Sequence, residues 1–78
     1  MNFLKGKVKK YQEKKLSEAK EKLEYYKITK IQLEKQLKNS LDEELFEIKE
    51  KISKQDKFIE IWTKNVKTIT KELQKLKT

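Results

Sequence analysis

Five carboxylates crowd into one short run, Asp42, Glu43, Glu44, Glu47 and Glu50. Carboxylates are the residues here that could gather a hard cation or share a catalytic proton. The functional reading of the run is a cation site or an acidic docking face. Its position favours a plainer origin. Ser40 followed by Glu43 fits a capping box, and Asp42, Glu43 and Glu44 would then sit in the first turn of a helix, where the backbone dipole favours negative charge. Acid–base work also needs a pocket that shifts a carboxyl pKa, and straight amphipathic helices supply none.

The rest of the catalytic alphabet is thin. The chain has no cysteine and no histidine. Disulfides, zinc sites, thiol nucleophiles and imidazole bases are thereby removed together. No glycine-rich phosphate loop occurs, since Gly6 is the sole glycine. The expectation is a chain that is not an enzyme and holds no metal or cofactor.

All 21 basic residues are lysines, set against 13 acids for a net charge of +8. Without arginine, forked recognition of guanine or phosphate is lost, and lysine attracts polyanions with little geometric specificity. The bias is uneven. Residues 1–39 carry 12 lysines and 5 glutamates, whereas residues 40–78 carry 9 lysines and 8 acids. Lys5, Lys7, Lys9, Lys10, Lys14 and Lys15 form the candidate polyanion face. Interleaved with Phe3, Leu4, Val8 and Tyr11, this segment (residues 1–15) could touch nucleic acid or an anionic membrane surface, or could be a solvated helix start. No apolar run approaches a membrane span, and no apolar core follows the basic start as in a signal peptide. A cytoplasmic location is the expectation.

These side chains must be positioned by helices. From Leu41 the apolar residues Leu45, Ile48, Ile52, Ile59, Trp62, Val66, Ile69, Leu73 and Leu76 recur in steps of three and four, with Gln55 in the one gap. A period of 3.5 held for about five heptads is a coiled-coil seam, and such a stripe demands a partner helix. A second, weaker stripe runs through Leu16, Ala19, Leu23, Tyr26, Lys30, Leu33 and Leu37, with Val8 and Tyr11 one residue out of phase upstream. Between the stripes, Lys35 and Lys38 suit a helix end, and Asn39 tolerates the left-handed conformation that follows one. No proline interrupts either segment.

The spacing therefore predicts an all-α, antiparallel two-helix hairpin over residues 1–78, with helices at about 3–38 and 41–77 and a turn at 39–40. A continuous helix is the competing topology. Folding the chain at 40 sets Ala19 against Trp62, Tyr26 against Gln55, Lys30 against Ile52, Val8 against Leu73 and Leu4 against Leu76. The intramolecular seam comprises Leu16, Ala19, Leu23, Leu33, Leu37, Leu45, Ile48, Ile52, Ile59, Trp62, Val66, Ile69 and Leu73. Five Glu-to-Lys pairs at i,i+4 add support, Glu18–Lys22, Glu34–Lys38, Glu47–Lys51, Glu50–Lys54 and Glu60–Lys64, at about 0.2–0.5 kcal/mol each.

Two helices make a thin core, and a chain this short needs more burial. Tyr25, Ile28, Ile31, Phe46, Phe58 and Ile61 lie off the seam and form the candidate partner interface. The expected state is a homodimer of hairpins in a four-helix bundle, with a foreign protein as the competing occupant. The functional expectation is a protein–protein interaction module, an adaptor, assembly factor or inhibitor of the kind phages and mobile elements encode. The alternatives are a nucleic-acid-binding regulator using the lysines of the first helix, and a peripheral membrane-surface protein using residues 1–15.

Overall fold

Two long helices account for nearly all of the chain. In the computed structural model α1 spans Asn2–Lys38 and α2 spans Asp42–Lys77. The structure describes the backbone of residues 2–77 and the side chains of residues 4–76. The part of the basic start at Met1, Asn2 and Phe3 therefore lies outside the described side chains. The helices fold back on each other as an antiparallel hairpin 62 Å long and 14 by 13 Å across. The protein is an all-α helical hairpin.

The turn differs from the sequence expectation in its chemistry. Ser40 does not cap α2. Its hydroxyl donates back to the Gln36 carbonyl, and the Asn39 side-chain amide donates to the Lys35 carbonyl at 3.4 Å. Both close orphan carbonyls at the end of α1. The backbone helps, with Asn39 N–H on Gln36 O at 3.1 Å and Ser40 N–H on Leu37 O at 3.4 Å. Asn39 does not use the left-handed conformation, since no described non-glycine residue has positive φ. At the start of α2 the Glu44 N–H donates to the Leu41 carbonyl at 2.9 Å, while Asp42, Glu43 and Glu44 occupy the first turn. The acidic run thus complements a helix N-terminus whose preceding residue, Leu41, has no side-chain acceptor. Leu41 sits in the turn, 74% exposed, and the seam begins only at Leu45.

Along α2 the seam runs from Leu45 to Leu76 in unbroken steps of three and four, with Thr63 and Thr70 half-buried beside it. On α1 it runs through Gln12, Leu16, Ala19, Leu23, Tyr26, Lys30, Leu33 and Leu37. Gln12 takes the place that Val8 and Tyr11 were expected to share. Leu4, Val8 and Tyr11 are exposed, and Leu73 packs with Ala19 and Ile69. The cause is the pairing itself: a helix held against a partner keeps the 3.5-residue phase, so the seam follows Gln12 rather than drifting to the apolar side chains.

Two seam glutamines carry a cost. The side-chain oxygens of Gln12 and Gln55 are buried without a hydrogen-bond partner. A buried acceptor left unpaired costs about 1–3 kcal/mol. Gln12→Leu and Gln55→Leu should therefore each raise the midpoint of chemical denaturation. A fall in both would show that these amides are hydrogen-bonded in solution and stabilise the pair.

Candidate interaction surface

Across the hairpin the contacts are displaced from the simple fold-back. Tyr26 stacks on Phe58, with ring centroids 4.9 Å apart and planes 24° from parallel. The Lys22 ammonium lies 4.5 Å from the centre of the Trp62 ring. Lys30 extends past Ile52 to pair with Asp56 at 2.6 Å. Tyr26, Lys22 and Lys30 thus each reach a partner about one turn further along α2 than the fold-back gave, while Trp62 still packs against the cluster that holds Ala19. Side chains lean towards the N-terminus of their own helix, and in an antiparallel pair the two leans add. Asp56, Lys22 and Gln12 are the residues the sequence reading missed, and that lean is the signal that would have found the first two.

The hydrogen bond to Asp56 holds the Lys30 ammonium above its ordinary pKa, with the Asp56 and Glu34 charges adding and burial opposing. The sign follows: the contribution of a raised lysine is complete below the unfolded value of about 10.4 and is lost only as pH rises through the raised one. The pair is intact at neutral pH. Of the five expected Glu-to-Lys pairs, Glu60–Lys64 closes among the described residues, at 3.2 Å. Lys22 reaches Trp62 instead of Glu18.

Ala19, Ile48, Ile69 and Leu73 are buried, and Leu16, Leu23, Leu33, Leu37, Leu45, Ile52, Ile59, Trp62 and Val66 are half-buried. Ala19, Ile69 and Leu73 form one cluster, against which Leu16, Trp62, Val66 and Leu76 pack. Because Ala19 is small, the seam opens to one side there. The resulting groove has a volume of about 320 Å3, with Ala19, Trp62 and Ile69 among its lining. Lys15, Glu18 and Lys22 contribute from α1, and Asn65, Thr68 and Glu72 from α2.

The candidate partner residues do not share one face. Seam phase puts Tyr25, Phe58 and Ile61 on the same flank as the groove. Ile31 and Phe46 fall on the opposite flank, and Ile28 lies behind the seam of α1. Phe58 is also partly committed within the hairpin through Tyr26, whose other neighbour is Tyr25 at 5.4 Å, edge to face. Leu4, Val8 and Tyr11 extend the groove flank towards the chain ends. Six of the ten large apolar side chains exposed among the described residues thus lie on this one flank.

The candidate polyanion lysines are exposed but do not form a stripe. At 100° per residue, Lys5, Lys7, Lys9, Lys10, Lys14 and Lys15 point all round α1. Lys9 lies 3.9 Å from Glu13, and the Lys15 ammonium lies 5.4 Å from the centre of the Tyr11 ring. Among the described residues no cluster of three or more acidic side chains is placed to hold a metal, so Asp42, Glu43, Glu44, Glu47 and Glu50 do not converge. No described helix is long and apolar enough to cross a membrane.

Comparisons with known proteins add no relative: no family model, no curated protein and no solved structure matches the chain.

Proposed function

We propose that this protein is a non-enzymatic protein–protein interaction module, a small hairpin that self-associates and acts as an adaptor, assembly factor or inhibitor by presenting a helical surface. The supporting observation is the groove flank, where Tyr25 and Ile61 are 64% and 52% exposed beside an open groove. Contiguous exposed apolar surface of this kind marks interaction sites. The scattered lysines of α1 give a polyanion less to recognise than a stripe would.

An anisotropy titration tests the reading. A chain labelled at Asn39→Cys, the sole thiol, is titrated with unlabelled chain. A saturable rise is expected. A flat response into the high-micromolar range would leave self-association without support.

A further inference from the structure

The hairpin buries too little surface for its mass. A folded monomer of 9.5 kDa exposes about 5,000 Å2 by the usual scaling. This chain exposes 6624 Å2. The excess is roughly 1,600 Å2, whereas an interface of ordinary size takes about 800 Å2 from each partner. The free chain carries this deficit in every copy, and another copy is the one partner always present to relieve it.

We infer that a second copy of this chain covers the groove flank, in a two-fold dimer centred on the groove beside Ala19. The inference rests on the self-association reading above and adds which face is used. Three observations select this flank. It holds the largest share of the exposed apolar side chains, including Tyr25, Phe58 and Ile61. It holds the groove. The groove is also balanced in charge: its charged rim is Lys15, Lys22, Glu18 and Glu72, two of each sign. A two-fold interface sets the same patch on both partners, so the patch must complement itself. A rim with both signs can do so, whereas a rim of one sign would repel its own copy across the two-fold axis.

The test uses two double variants and the sole tryptophan, which lines the groove. Tyr25→Lys with Ile61→Lys alters the flank while sparing Phe58, which Tyr26 needs. Ile28→Lys with Phe46→Lys alters the other faces. Both variants should remain helical by circular dichroism, since none of the four residues lies in the seam. The flank variant should weaken self-association on the order of 100-fold, as for loss of two anchors. Its Trp62 emission should stay at the red-shifted, monomer-like position at all concentrations, while wild type shifts blue as it associates. The other-face variant should follow wild type in both respects.

A flank variant that associates normally, or an other-face variant that dissociates, would overturn the assigned face and leave self-association standing. Wild type that stays monomeric overturns both. A monomer that instead binds duplex DNA at low salt and releases it as salt rises assigns the lysines to a polyanion, and overturns the dimer as well.

Discussion

Trp62→Ala should destabilise the hairpin by about 3 kcal/mol, the lower end of the range for emptying an aromatic core site, because the ring is half-buried. Trp62 packs against the cluster of Ala19, Ile69 and Leu73, three of the four buried side chains among the described residues. Its ring also accepts the Lys22 ammonium, a contact worth about 0.5–1 kcal/mol at an exposed site. A chain of this length has a total stability of only about 4–12 kcal/mol. Thermal melting followed by circular dichroism should therefore shift steeply downward. A melting curve within error of wild type would mean that the cluster does not hold the helices together.

Ile48→Ala is expected to cost about 2–5 kcal/mol, and its effect should be local. Ile48 is 3% exposed and is the only buried side chain in the half of the hairpin nearest the turn, among the described residues. The other three lie towards the chain ends. Between the two anchors sits a polar layer of Lys30, Asp56 and Gln55. Amide hydrogen exchange should therefore accelerate at residues 30–52 while residues 62–73 keep more of their protection, as separate stability within one structure allows. Uniform acceleration along both helices would show that the hairpin opens as one unit and that the polar layer does not divide it.

The sequence made α2 readable because its apolar steps never slip between Leu45 and Leu76, and no structure but a paired helix carries that period. The hairpin followed from the turn at residue 39 lying near the middle of the chain. What escaped was geometry that a one-dimensional pattern does not hold. The apolar character of Val8 and Tyr11 drew attention from Gln12, although pairing fixes phase by position rather than by residue type. The stacking of Tyr26 on Phe58 escaped because both side chains lean towards the N-termini of their own helices. Ser40 resembled a cap for α2, yet its hydroxyl found the nearer carbonyl of Gln36 at the end of α1. The six off-seam apolar residues were legible as a group. Their division between two flanks and the outer face of α1, and the groove that Ala19 leaves beside Trp62, needed the packed pair.

Sedimentation velocity of the wild-type chain tests the central claim most directly. Over a range from low to high micromolar concentration, the expected result is a shift from the 9.5 kDa chain to a species of twice that mass, with no larger one. A single boundary at the mass of one chain across the whole range would contradict self-association, and would leave the groove flank without its second copy.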